Sequence, residues 1–211
     1  MTRKNILRRP LPYTHFNATL YIIVLNLVFF LITSFSRDVQ ITLSMVPALV
    51  NRGYLWSFLT YMFVHANFNH ILFNMIGLFI FGTQVEHEMG SWEFIMFYLV
   101  TGFLAGLLSY GIYILSGIQV VALMGASGAL YAVMLAFATY YPNARIFIMG
   151  IIPMRSVTLV LVYAGIALIN QFGGMNSSVA HMTHLGGFVF AFLYFLIRIG
   201  RNPLEAWGLK G

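Results

Sequence analysis

An all-α membrane protein, a bundle of six transmembrane helices with its N- and C-termini on the cytoplasmic side, is what this sequence predicts, and three observations carry the expectation. Of the 211 residues, 60% are apolar and only 8% charged, against about 25% charged in ordinary soluble domains. Apolar runs recur from residue 17 to residue 198, and the whole chain has a mean hydropathy of +0.86, which is too much for a signal peptide or a single anchor. Turn-forming clusters separate them: Ser36-Arg37-Asp38, Gly90-Ser91, Tyr141-Pro142-Asn143 and Gly173-Gly174-Met175-Asn176-Ser177.

With about 20 apolar residues per crossing, the spans are expected at 17–36, 69–85, 93–115, 126–141, 148–170 and 179–199. The first contains the run 20–32 with no small-residue cleavage site behind it, so it reads as a retained helix. Pro153 and Arg155 interrupt the early half of the fifth, which leaves a start after Met154 open. The moderately apolar connection 37–67 is expected to lie in the membrane interface. One membrane domain, 17–199, then stands between a basic cytoplasmic segment, 1–16, and a cytoplasmic tail, 200–211.

Orientation follows from the basic residues, which concentrate on cytoplasmic loops. With the N-terminus inside, Arg3, Lys4, Arg8, Arg9, Arg145, Arg155, Arg198, Arg201 and Lys210 are cytoplasmic, and only Arg37 and Arg52 are outside. The net charge of +6 is therefore spread over membrane boundaries and forms no stripe, so no nucleic acid is expected as a partner. The absence of cysteine removes thiol nucleophiles, disulfides and cysteine-ligated metal. The segment 1–10 lacks the serine-rich character of an organellar transit peptide, which favours a bacterial cytoplasmic (inner) membrane.

This topology brings polar residues from three distant segments to one depth near the outer face. His70, Ser127 and His184 each fall in the first few residues of a span that enters from outside. Ionisable groups are expensive in hydrocarbon, so an intramembrane histidine is a candidate functional residue whose partner should be sought. Ser127, in Gly125-Ala126-Ser127-Gly128, either belongs to a small-residue helix contact continued by Ala132 and Ala136, or is a nucleophile that flanking glycines leave accessible. His184 either bonds across helices or serves as the base of that serine. Gly187 and Ala191 give its helix a small face able to dock on Gly128, which would bring the pair together.

His70 and Asn74, four residues apart, share a helical face. They form either an interhelical hydrogen-bond pair or two donors for a developing oxyanion. Tyr131, one turn from Ser127, is a platform for the imidazole or an ordinary packed tyrosine. Asp38, Glu86, Glu88, Glu93 and Glu205, the only acids, share no depth with His184, so a Ser-His dyad is the arrangement permitted, without the aspartate of soluble triads.

These motifs resemble those of the rhomboid intramembrane serine proteases. His65 with His70-Ile71-Leu72-Phe73-Asn74 is similar to the family's H-x-x-x-x-H-x-x-x-N. Gly125-Ala126-Ser127-Gly128 with Tyr131 is similar to G-x-S-G, and His184-Leu185-Gly186-Gly187 to H-x-x-G. The resemblance covers the six-helix region. It implies Ser127 as nucleophile, His184 as general base and acid, and an oxyanion hole made by His70, Asn74 and the Ser127 backbone. It also implies Tyr131 packed on His184 and Glu86 in a structural role. Ser57 stands after Trp56 where the family often has arginine, and Ala191 replaces a frequent glycine. His181 is the rival base, but the spacing to Gly187 selects His184.

The expected activity is cleavage of the transmembrane segments of single-pass proteins near the outer face of the lipid bilayer, with no cofactor and no metal. The substrate helix must unwind locally to present its carbonyl, and the resemblance adds a preference for small residues before the cut. A non-catalytic relative that binds transmembrane helices as a chaperone or degradation adaptor is the alternative, although it would be expected to lack the serine or the histidine. A metal or haem site built on His65, His70, His181 and His184 is a second, and it lacks both H-E-x-x-H and a carboxylate at the right depth.

Overall fold

Long apolar runs fold as helices here because a helix satisfies its backbone hydrogen bonds within one segment, as a bilayer interior requires. The computed structural model describes residue 8 and residues 11–148, 151–172 and 178–209. Most of the expected segment 1–10, the expected break at 173–177 and the last two residues of the tail lie outside the described residues.

The helices are α1 (Ala18–Ser34), α2 (Arg37–Leu43), α3 (Pro47–Val50), α4 (Ser57–Thr60), α5 (Phe68–Met89), α6 (Ser91–Leu115), α7 (Ser127–Tyr140), α8 (Ser156–Phe172), α9 (Ser178–Tyr194) and α10 (Pro203–Ala206). A π-helical turn at Leu78–Gly82 lies within α5, and another at Phe195–Ile199 prolongs α9. Among the described residues, three stretches are long and apolar enough to cross a membrane: α5, α6 and His181–Ile199. The helices α1, α7 and α8 are apolar but shorter.

The centre of the bundle is α7. It is buried nearly all round, from Gly128 to Thr139, and packs against α6, α8 and α9. A helix apolar on every side belongs inside a protein. Its 14 residues make about 21 Å, whereas the 25 residues of α6 make about 37 Å at 1.5 Å per residue. The first turn of α7 is recessed within the bundle, with Gly128, Ala129 and the preceding Leu123 and Ala126 buried, and non-helical chain leads down to it.

Non-helical backbone at such depth needs partners, and the connection 37–67 supplies them. Met45 and Leu123 exchange backbone hydrogen bonds of 3.0 and 2.9 Å, Gln119 O accepts from Ala48 N, and Tyr61 O accepts from Gly125 N at 2.9 Å. The expected interfacial connection is thus folded into α2, α3 and α4, and it braces the approach to Ser127.

The opposite end of the bundle is tied by acids, of which Glu86 and Glu93 are buried and Glu88 and Glu205 exposed. Glu86 accepts from the Ala18 and Thr19 amides at 2.6 and 2.8 Å and from the Ser91 hydroxyl, filling the orphan donors that begin α1. Glu93 accepts from Arg198 at 2.9 Å and from the Tyr194 hydroxyl. Glu88 accepts from the Tyr141 hydroxyl at 2.6 Å, and Glu205 from the Asn202 amide at 2.9 Å.

Two expectations are corrected. The chain is not wholly α: Arg145–Ile148 (β1) and Ile152–Arg155 (β2) form a small antiparallel hairpin. The fifth helix accordingly begins at Ser156 and not at 148. Pro153 cannot donate inside a helix, and in a two-stranded hairpin it sits where no further strand must pair. Elsewhere the helix ends differ from the expected spans by a few residues, the largest change being the continuation of α5 to Met89.

Candidate active site

Three N-terminal turns converge at the recessed end. Asn67 caps α5, its Oδ1 accepting from the His70 amide at 2.9 Å, and so fixes His70 in the first turn. Ser127 opens α7, where its own amide has no intrahelical acceptor. His184 lies early in α9, and its Nε2 stands 2.8 Å from Ser127 Oγ.

Backbone contact between glycines makes that approach possible. A methyl group placed on Gly187 would overlap the Gly128 carbonyl, and one on Gly128 would meet Thr183 Cγ2 at 2.9 Å. Thr183 also shares a 2.6 Å hydrogen bond with Ser109 of α6, which locks the height of α9 against its neighbours. The Tyr131 ring lies flat on His184, with centroids 4.2 Å apart and planes 13° from parallel, so the imidazole is held on its face.

His70 reaches the same place from α5. Gly125 has φ +125°, and a Cβ there would lie 2.7 Å from both Cε1 and Nε2 of His70 and 3.8 Å from Ser127 Oγ. Glycine is required by the backbone angle, and its missing side chain leaves the imidazole edge and the hydroxyl facing one small space. The Nδ1 of His70 faces the Ala66 amide at 3.5 Å, so in the neutral ring Nε2 carries the proton and is a donor.

Asn74 is buried, with its Nδ2 donating to the His70 carbonyl at 2.7 Å. It is on the expected helix but is bonded to its own backbone, and its buried Oδ1 is without a partner among the described residues. One N–H of the amide remains for another acceptor. The rival base His181 stands with its ring centroid 6.1 Å from that of His184.

His65 was expected as part of a motif and, in one alternative, as a metal or haem ligand. It is fully buried, its Nε2 accepts from the Ala126 amide at 3.4 Å, and its ring meets His70 edge-on at 5.0 Å. Burial, with the neighbouring His70, lowers its pKa to about 4. It is thus a neutral acceptor that helps hold the residue before Ser127. The five-residue spacing to His70 was the only trace of this in the sequence.

What the arrangement can do chemically follows from its parts. A hydroxyl touches an imidazole held by an aromatic ring, beside an N–H donor and the positive end of a helix. Glu86, Glu88, Glu93 and Glu205 are engaged at the far end of the bundle, and Asp38 lies in the first turn of α2.

Residues 52–201 match the Rhomboid domain. Among similar proteins, RHOMBOID-like protein 1 of Arabidopsis thaliana is 32% identical over 159 residues, covering 72% of this chain and 38% of that protein. RHOMBOID-like protein 12, mitochondrial, of the same plant is 30% identical over 165 residues, covering 71% and 48% respectively. Rhomboid protease GlpG of Haemophilus influenzae is 27% identical over 154 residues, covering 72% of this chain and 74% of the relative. The chain thus spans less than half the length of the two plant relatives and about three quarters of the bacterial one.

Proposed function

Since this chain belongs to the rhomboid family of integral membrane proteins, we propose that it is an intramembrane serine endopeptidase acting through a Ser127–His184 dyad. The observation that carries the reading is the 2.8 Å contact between Ser127 Oγ and His184 Nε2. Ser127 Oγ attacks the substrate carbonyl carbon while its proton passes to His184 Nε2. His184 then gives that proton to the leaving amine, and the acyl group stays on Ser127. A water molecule, deprotonated by His184, releases the acyl group and restores the hydroxyl.

The oxyanion is assigned to His70 Nε2–H, the Ser127 amide and the remaining N–H of Asn74. Each such donor is worth about 3–4 kcal/mol where it has been removed from a comparable hole. Tyr131 fixes the imidazole by stacking, the work an aspartate does in soluble triads. Gly125, Gly128 and Gly187 allow the close approaches.

The membrane domain is 17–199, crossing six times with both termini cytoplasmic, so the recessed end opens to the outer side. The substrates are single-pass transmembrane proteins, cut near that face after local unwinding, and the membrane is a bacterial inner membrane. The test is labelling of purified protein by a serine-directed fluorophosphonate. Label on Ser127 that is lost in His184→Ala and unaffected by a chelator supports the dyad. Equal labelling in the His184 variant would speak against it.

A further inference from the structure

The hairpin β1–β2 has one face that turns Ile146 and Met154 inward, with Ile152 at its tip 57% exposed, and one that no described residue covers. Its register pairs Arg145 with Arg155, Ile146 with Met154 and Phe147 with Pro153. Directly opposed residues share a face and alternate along each strand. Ile146 and Met154 face the core. The other face carries Arg145, Phe147, Pro153 and Arg155, and Ile151 stands in the turn just before β2; all five are exposed, with Phe147 at 60% and Ile151 at 79%.

Two like charges opposed across a strand pair repel one another. Among the described residues neither arginine has an ion-pair or hydrogen-bond partner. Arg155 also edges a concavity of about 340 Å³ together with Asn143, Thr158 and Trp207. Tyr140, Tyr141 and Trp207 gather at this end of the bundle, where α7 stops, as aromatic side chains do at a membrane interface.

We propose that this face is a docking surface for anionic phospholipid. The headgroup phosphate sits at Arg155 and Arg145, with Asn143 and Thr158 on the wall of its seat, and Phe147 and Ile151 enter the acyl region beside it. Charge selects the occupant, since a basic pair with no acid bonded to it among the described residues calls for an anion. The apolar tip selects a lipid over a free anion, because soluble phosphate offers nothing to cover it. The inference rests on the membrane placement of the chain and is independent of its catalysis.

The test is native mass spectrometry of the full chain in detergent, titrated with phosphatidylglycerol or phosphatidylcholine. The wild type is expected to bind phosphatidylglycerol preferentially. The double variant Arg145→Gln/Arg155→Gln should lose that preference by about 30-fold, as expected for two arginines near a lipid surface. Phe147→Ser/Ile151→Ser should weaken both lipids, and a large excess of inorganic phosphate should not displace phosphatidylglycerol. Unchanged preference in a double arginine variant with wild-type melting overturns the proposal. So does displacement by inorganic phosphate, which would mark a simple anion site.

Discussion

The Gly187 backbone rests on the carbonyl of Gly128, with no room for one methyl group between them. These glycines follow Ser127 by one residue and His184 by three. The closeness of two helix backbones therefore sets the distance between hydroxyl and imidazole.

Gly187→Ala is accordingly expected to move α9 away from α7, because the atom it strikes is backbone and cannot rotate aside. Overpacking of this kind costs about 1–3 kcal/mol, and cleavage should fall at least ~100-fold if the reacting groups are displaced by about 1 Å. Gly186→Ala would meet the flexible Leu108 side chain at 3.1 Å and should change little. Melting temperatures and cleavage rates of both variants check the order.

Gly125→Ala should act on His70. The new methyl group would occupy the space beside Nε2, at a φ that disfavours a side chain. Turnover is expected to fall by about 10- to 1,000-fold with substrate affinity kept, the pattern of a lost transition-state donor. Gly111→Ala, with nothing within 4 Å, serves as the control. A loss of affinity equal to the loss of turnover would mean that the space binds substrate and not the oxyanion.

The convergence of Ser127 and His184 was legible in the sequence because small residues recur at helical spacing around each, and such faces pack closely. Glu86 could be placed at the C-terminal end of its helix, but its partners Ala18 and Thr19 lie 68 and 67 residues away, and no local pattern encodes that. The hairpin was missed for a different reason. A short apolar run has the same composition as a strand or as a buried helix turn, and only the pairing of Arg145 with Arg155 distinguishes them. The part played by His65 depends on how the connection 37–67 folds over the start of α7, which periodicity does not report.

His65 predicts a pH dependence of stability. Its pKa is about 4 in the folded protein and 6.5 by its ordinary value, so between these the unfolded chain binds a proton that the folded chain excludes. Stability is then full above about pH 6.5 and falls as the pH drops toward 4, by on the order of 3 kcal/mol. His65→Gln, which keeps an acceptor for the Ala126 amide, should flatten this slope in thermal melts at pH 4.5, 5.5 and 7. An unchanged slope would assign the effect to other groups.

The five acids should be dispensable for the chemistry. Asp38, Glu86, Glu88, Glu93 and Glu205 replaced one at a time by their amides should each leave turnover per folded molecule within about tenfold of wild type. Glu86→Gln should cost stability, about 1–3 kcal/mol, by weakening the acceptor of the α1 amides. A folded variant with a loss near 10⁴-fold, as when a triad aspartate becomes asparagine, would mean that a carboxylate reaches His184.

The most direct test is cleavage of a model transmembrane substrate by purified protein, wild type beside Ser127→Ala, across pH. The account predicts a single internal cut by the wild type, with a rate that rises as His184 loses its proton, since only neutral imidazole can accept one from Ser127. For a folded Ser127→Ala it predicts no cleavage above about one part in a thousand, given the loss near 10⁶-fold on removing the nucleophile of a serine protease. Cleavage by Ser127→Ala at the wild-type site and rate would contradict it and place the nucleophile elsewhere.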